Sequence, residues 1–147
     1  MKIFLGSDHR GFYLKEKIKK YLEKLGVDFE DLGNKKFDPY DDYPDFAFLV
    51  AKKVAEGKGM GILICGSGEG MAITANKVKN IRAAVAFSSK QVKLLREKND
   101  INILALSSDW TKEGVVKKIV KTFLETKFKK IKRHQRRIDK IKKIEKN

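Results

Sequence analysis

The only cysteine of the chain stands at the start of its most glycine-rich segment. Cys65 follows the apolar run Ile62–Ile64 and precedes Gly66-Ser67-Gly68-Glu69-Gly70. Glycines between a strand and a helix let backbone N–H groups face an anion beside the positive end of the helix dipole. A thiol near a helix N-terminus loses its proton more easily, so Cys65 can act as a nucleophile or as a proton-abstracting base. An ordinary turn with a small buried thiol remains the open alternative.

A second ionisable pair, Asp8 and His9, follows the apolar segment at the N-terminus. A histidine can bind phosphate or transfer protons near neutral pH, whereas an aspartate in this position can equally cap a turn. The two histidines of the chain, His9 and His134, lack the spacing of a metal site. We therefore expect neither a metal nor another cofactor.

Two arginines near the C-terminus have the spacing of a phosphate clamp. Arg133 and Arg137 are four residues apart, so a helix places both on one face. They lie in a basic tail, residues 127–147, with 11 Lys/Arg and 2 Asp/Glu in a chain whose net charge is +15. A solvated helix face and an RNA-binding arm are both open interpretations. Because Phe128 is the only aromatic residue of the tail and no nucleic-acid motif occurs, we expect no nucleic-acid partner.

Short apolar runs that alternate with helical patterns must position these groups. Such alternation is typical of an α/β domain with a parallel sheet between two helical layers. The predicted strands are Lys2–Leu5, Asp28–Leu32, Met60–Ile64, Ala83–Phe87 and Ile101–Leu106. The predicted helices run from Leu14 to Leu25, onward from Pro44, and over Gly70–Val78, Ser88–Glu97 and Val115–Lys127.

These elements predict one domain, residues 1–147, with a three-layer αβα Rossmann-like fold, a five-stranded parallel sheet and a C-terminal helical tail. Ligands bind beyond the carboxyl ends of the strands in such a sheet, so Asp8, His9 and the Cys65 loop are expected at one rim. The tail carries Ile138, Ile141 and Ile144 at three-residue spacing. This stripe must pack on its own domain or on a second subunit, and we expect a homodimer.

The composition also limits the location of the protein. A single cysteine cannot form an internal disulfide, which favours a reducing compartment. No apolar run approaches the roughly 20 residues that span a bilayer, and polar residues follow Leu5 too soon for a signal peptide. We expect a cytoplasmic protein with no membrane partner.

Seven segments, spread over nearly the whole chain, form a recognisable pattern. They are Gly6–Gly11, Asp42–Asp45, Ile64–Met71, Ala75–Lys77, Ile81–Ala84, Asn99–Asn102 and Arg133–Arg137. Taken together and in this order, they resemble the family of type B ribose-5-phosphate isomerases and galactose-6-phosphate isomerases.

The resemblance implies an aldose–ketose isomerase of a sugar phosphate, with ribose 5-phosphate and ribulose 5-phosphate as the default pair. It also implies a homodimer, or a pair of such dimers, with active sites shared between subunits and an enediolate route that needs no metal. By this resemblance Cys65 removes the proton beside the carbonyl, and the backbone of Gly66–Gly70 stabilises the oxyanion. The other implied substrate-binding residues are Asp8 at the sugar hydroxyls, Asn99, and His9, Arg133 and Arg137 at the phosphate.

Three positions depart from the family pattern. Lys98 replaces a histidine proposed to protonate the ring oxygen, so we assign Lys98 to ring opening. Asp109 stands where the family commonly has an arginine, and Glu69 where it often has an apolar residue or Asn. These departures keep a second hypothesis open, a divergent paralogue that acts on a hexose 6-phosphate or binds a sugar phosphate without efficient turnover.

Overall fold

The computed structural model describes residues 1–147 as a five-stranded parallel sheet with helices on both faces. The strands are β1 (Lys2–Ser7), β2 (Phe29–Asp31), β3 (Gly59–Cys65), β4 (Ala83–Val85) and β5 (Ile103–Ser107). The helices are α1 (Phe12–Lys24), α2 (Tyr43–Ala55), α3 (Glu69–Ala75), α4 (Ser89–Asn99), α5 (Glu113–Glu125) and α6 (Lys132–Glu145). The predicted fold class is confirmed.

The sheet has the order β2-β1-β3-β5-β4, and its central strands are buried on both faces. This explains why β3 and β5 consist almost entirely of apolar residues instead of alternating with polar ones. One core lies between the sheet and α1, α4 and α5, around Phe123 and Leu22. A second core lies between the sheet and α2 and α3, around Val50 and Met71. No helix is both long and apolar enough to cross a membrane.

The strand order places the expected ligand site between β1 and β3. From β1 the chain goes to β2 on one side and then returns to β3 on the other, so the connections diverge at this point. Ligands of open parallel sheets bind in the crevice beyond the strand ends at such a switch point. Residues that directly follow β1 and β3, including Asp8 and Gly66, therefore border this crevice.

The ends of some elements differ from the prediction for local reasons. Strand β4 ends at Val85 because the N–H of Phe87 donates to Oε1 of Gln91, and Ser88 Oγ accepts from the N–H of Gln91 as the N-cap of α4. Strand β5 begins at Ile103, and the side chain of Asn102 accepts a hydrogen bond from the N–H of Arg82.

The predicted helical tail is helical only from Lys132 to Glu145, and residues 127–131 form an extended connection. Two of its residues pack inward, His134 and Ile138, at 3% and 4% exposure. The isoleucine stripe is only partly covered, since Ile141 and Ile144 remain 42% and 70% exposed. Helix α6 packs on α4 of the same domain and leaves apolar surface for another contact.

Candidate active site

The Cys65 loop combines a buried thiol with a left-handed glycine. Cys65 ends β3 at 4% exposure, and the amide N–H of Gly68 donates to its Sγ atom at 3.1 Å. Gly68 has φ of 81° and is the N-cap of α3. A Cβ atom there would lie 3.0 Å from the Leu106 carbonyl carbon in a backbone conformation that side chains rarely adopt. Glycine is therefore required for the turn that delivers this N–H to the sulfur.

Other amide groups of the loop remain available. The N–H of Glu69 is turned toward Ser67 Oγ at 3.3 Å, whereas the N–H groups of Ser67 and Gly70 have no acceptor within the chain. Unpaired amides at the start of a helix form a ready site for negative charge. The loop can therefore solvate an anion next to the thiol.

A cavity of about 400 Å³ opens beside the thiol. This volume is within the range of small-ligand sites. Cys65 is one of its lining residues and also belongs to the α2–α3 core. The other lining residues are Asp8, Arg10, Tyr43, Gly66, Ser67, Glu69, Gly70, Ile73 and Asp109.

Asp8 caps a turn and also borders the cavity. Its Oδ1 atom accepts a hydrogen bond from the N–H of Gly11 at 3.1 Å, so it caps the turn into α1. Asp8 also lines the cavity at 5% exposure. Burial raises the pKa of its carboxyl group, although the Gly11 hydrogen bond and nearby His9 oppose the shift. A carboxyl group with a raised pKa is suited to exchanging protons with sugar hydroxyls.

His9 lies next to Asp8 but does not line this cavity. The Nδ1 atom of its ring lies 2.7 Å from Oδ1 of Asp41, which also accepts the His9 backbone N–H at 2.8 Å. The hydrogen bond to Asp41 raises the pKa of His9, so the imidazolium form persists to higher pH. Its Nε2 atom has no partner in the chain and can contact an anion.

A buried lysine supports the loop that holds Asp41. Lys15 is fully buried, and its Nζ atom donates to Asp31 at 2.7 Å and to the carbonyl oxygen of Asn34. The Asn34 side chain in turn donates to Oδ2 of Asp41 at 2.6 Å. A continuous set of hydrogen bonds therefore links the interior of α1 to the residue that orients His9.

Lys98 and Asn99 do not reach the Cys65 cavity. They are exposed residues of the last turn of α4, shortly before β5 begins at Ile103. Ile103 pairs with Gly61, four residues before Cys65 in the neighbouring parallel strand. At about 3.3 Å per residue, this places Lys98 and Asn99 toward the amino ends of the strands, away from Cys65 at the carboxyl end of β3.

Arg133 and Arg137 lie on the exposed surface of α6 and are also absent from that cavity. Hydrogen bonds link the start of α6 to the end of α4. The carbonyl of Lys129 lies 2.9 Å from Nδ1 of His134, and the N–H of Lys129 donates to the Glu97 carbonyl at 3.0 Å. The expected site residues therefore form two groups on one chain, one around Cys65 and one where α4 meets α6.

The structure adds residues to which the sequence analysis gave no role. Arg10 pairs with Asp109, Tyr43 packs its ring against Gly70, and Asp41 holds His9. Arg10 directly follows Asp8-His9, and that adjacency was the available signal. The structure contains no group of three or more His, Cys, Asp or Glu side chains that could hold a metal ion.

Comparisons with known proteins find relatives over nearly the whole chain. Residues 3–141 match the Ribose/Galactose Isomerase family. A probable ribose-5-phosphate isomerase B of Mycoplasma genitalium is 48% identical over 146 residues, which cover 98% of this chain and 95% of the relative. A putative sugar phosphate isomerase of Bacillus subtilis is 44% identical, with 96% of this chain and 95% of the relative covered.

A solved structure has nearly the same backbone. The crystal structure of ribose-5-phosphate isomerase B from Mycoplasma genitalium with bound ribulose-5-phosphate superposes with a TM-score of 0.95 at 47% identity. The match covers 99% of this chain and 97% of that one. On the strength of its sequence and its fold, the chain belongs to the ribose/galactose isomerase family.

Proposed function

We propose that this protein is an aldose–ketose isomerase that interconverts ribose 5-phosphate and ribulose 5-phosphate. The observation that carries the proposal is the thiol of Cys65 at a cavity that also presents Asp8 and unpaired loop amides. The ribose-5-phosphate isomerase B relatives, one of them solved with ribulose-5-phosphate, support the choice of substrate. The hexose phosphate alternative has no comparable support.

The proton transfer is assigned to Cys65. As a thiolate it removes the proton from C2 of the open-chain aldose and returns it to C1, while the hydroxyl proton on O2 moves to O1, which leaves the ketose. The Gly68 N–H donates to Sγ at 3.1 Å and orients the sulfur. A base of this kind must stay reduced, and the free thiol of Cys65 supports a cytoplasmic location for the protein.

The enediolate between the two proton transfers carries negative charge on oxygen. The unpaired N–H groups of Ser67 and Gly70 are the donors that we assign to it. Donors of this type contribute about 10²–10³ in kcat because they are already oriented before charge develops. Asp8 is assigned to the sugar hydroxyls and to ring opening, with Lys98 as the second proton-transfer group.

We propose that a second copy of the chain completes the site. Lys98, Asn99, Arg133 and Arg137 lie away from the Cys65 cavity of their own chain, but they are grouped where α4 meets α6. Exposed apolar residues such as Ile73 at the cavity and Ile144 on α6, at 62% and 70% exposure, support a contact surface. In the homodimer, His9 of one chain and the two tail arginines of the other bind the phosphate.

Replacing the base tests the reaction. Cys65→Ala is expected to abolish turnover of ribose 5-phosphate, with inorganic phosphate still binding near its wild-type affinity. A Cys65→Ala protein that isomerises at the wild-type rate would disprove the assignment of the base. Wild-type protein without turnover on ribose 5-phosphate would instead disprove the proposed substrate.

Mixing two variants that are impaired at different residues tests the shared site. Cys65→Ala and Arg137→Ala chains are unfolded together, refolded and assayed at low substrate concentration. Half of the random dimers are mixed, and each mixed dimer has one site with both residues, so about a quarter of wild-type activity returns. Activity no higher than that of the separate variants means that each site is built from one chain.

A further inference from the structure

Arg10 is the single cation among the residues that line the Cys65 cavity. The ionisable neighbours in the wall are Cys65 and three carboxylates, Asp8, Glu69 and Asp109. Without Arg10 the cavity of one chain would repel an anionic ligand. The positive charge of Arg10 therefore determines whether the cavity can accept an anionic ligand.

The side chain of Arg10 is held against the loop by Asp109. Its Nη2 atom donates to Oδ2 of Asp109 at 2.5 Å. A Cβ atom on Gly66 would lie 2.8 Å from Nε of Arg10 and 3.0 Å from Oδ2 of Asp109, so the ion pair rests directly over the Gly66 backbone. The guanidinium of Arg10 therefore packs against the backbone of Gly66, the residue that follows Cys65.

Asp109 is itself fixed relative to the thiol. Its backbone N–H donates to the Gly66 carbonyl at 3.0 Å, and the N–H of Ser108 donates to the Cys65 carbonyl at 3.0 Å. The hydroxyl of Ser107 adds a bond to the same Gly66 carbonyl at 2.6 Å. The anchor of Arg10 and the start of the Cys65 loop therefore form one hydrogen-bonded unit.

Most of the donor capacity of Arg10 is unused. The hydrogen bond to Asp109 occupies one of its N–H groups, and Nε and Nη1 have no acceptor in the chain. The side chain is 57% exposed. Arginine presents a planar fork that matches two oxygens of a phosphate, and such charge-assisted bonds are among the stronger ones.

Resting on the proposed function, we infer that Arg10 binds the phosphate of the substrate from the same chain that supplies Cys65. Asp109 acts as a positioning residue that holds one edge of the guanidinium and leaves the other for the ligand. The chain thereby has a phosphate contact next to His9 that does not come from the tail. Arg10 also offsets the three carboxylates of the cavity for an incoming anion.

Calorimetric titration with inorganic phosphate tests Arg10 without any need for turnover. Arg10→Ala is expected to weaken phosphate binding about tenfold or more, which is the loss of a charge-assisted hydrogen bond. Arg10→Lys keeps the charge but not the fork and is expected to lie between wild type and Arg10→Ala. In the isomerase assay Arg10→Ala should raise KM for ribose 5-phosphate by a similar factor, with kcat changed less than threefold.

Lys17→Ala is the matched control. Lys17 is 56% exposed, pairs with Glu113 at 2.9 Å and lies near Arg10 without lining the Cys65 cavity. Its loss removes the same charge and should change phosphate affinity less than twofold. The inference would be overturned if wild-type protein did not bind phosphate, or if Arg10→Ala bound it within twofold of the wild-type affinity. It would also be overturned if Arg10→Ala lowered kcat and left KM unchanged. Wild-type protein that binds phosphate through Arg10 but does not isomerise would refute the proposed function only.

Discussion

The amide N–H of Gly68 donates to Sγ of Cys65 at 3.1 Å, and this contact joins the loop and the thiol into one unit. The contact depends on the left-handed backbone of Gly68, whose φ is 81°. The same turn starts α3 and leaves the Ser67 and Gly70 N–H groups unpaired. Geometry at one glycine therefore supports both the base and the proposed oxyanion site.

Gly68→Ala should damage catalysis more than stability. An alanine in the left-handed region costs about 1–2 kcal/mol, and its Cβ would meet the Leu106 carbonyl group. Displacement of the loop amides is expected to lower kcat about 100-fold. Steady-state kinetics and urea unfolding check the two effects. Gly114→Ala is the control, since a Cβ there meets no atom within 4 Å; equal kcat values in the two variants would contradict the role of Gly68.

Asp41→Asn should change the pH dependence of substrate binding. Asp41 raises the pKa of His9 above its ordinary value of 6.5, so the cation persists to higher pH in the wild type. KM should rise as pH increases through the His9 pKa, and in Asp41→Asn that rise should start at lower pH. Measurements between about pH 5.5 and 9 check this. Asp38→Asn, at an exposed position of the same loop, should keep the wild-type profile, and a wild-type profile in Asp41→Asn would argue against a cationic His9.

Lys15→Met should lower the free energy of unfolding by about 3 kcal/mol. Lys15 is fully buried and forms an ion pair with Asp31, so removal of the lysine leaves the Asp31 charge uncompensated. Urea unfolding measures the difference. Lys20→Met on the exposed surface of the same helix should stay within about 0.5 kcal/mol of wild type. A similar small change in Lys15→Met would show that the pair contributes little.

The stabilisation by Asp31 should disappear in acid. Burial alone would raise the pKa of Asp31, but hydrogen bonds from Lys15 and Lys19 outweigh burial and lower the pKa below 3.8. A lowered carboxyl pKa contributes stability that is fully present above 3.8 and is lost as pH falls through the folded-state value. The difference in unfolding free energy between wild type and Asp31→Asn should therefore be constant above about pH 5 and shrink below pH 3.8. A difference that stays the same in acid would contradict the lowered pKa.

Arg137→Ala should raise KM for ribose 5-phosphate about tenfold and change kcat much less, because it removes a charge-assisted phosphate contact. Arg136→Ala is the control, since Arg136 is also exposed on α6 but lines a surface groove that does not include Arg137. Steady-state kinetics at constant ionic strength compare the two variants. An unchanged KM in Arg137→Ala would refute the assigned phosphate site.

The sequence predicts the sheet well because buried parallel strands consist of apolar runs such as Ile62–Ile64. It also predicts the Cys65 loop, where the signal is local. The pairs Arg10–Asp109 and His9–Asp41 were not predicted, since they join residues 99 and 32 positions apart through turns whose geometry no periodicity encodes. The burial of Lys15 was missed for a related reason, because its partner Asp31 comes from β2.

The placement of the tail arginines away from the Cys65 cavity links catalysis to concentration. In the proposed dimer, a chain that dissociates on dilution keeps its own thiol but loses the two guanidinium groups that the other chain supplies. Specific activity should then fall once the protein is diluted below the dissociation constant of the pair, instead of staying constant as for a self-sufficient enzyme. The same holds for a dimer of one full-length chain and one chain truncated before Lys132. The site with the thiol of the full-length chain would lack the tail arginines, whereas the site with the thiol of the truncated chain would be complete.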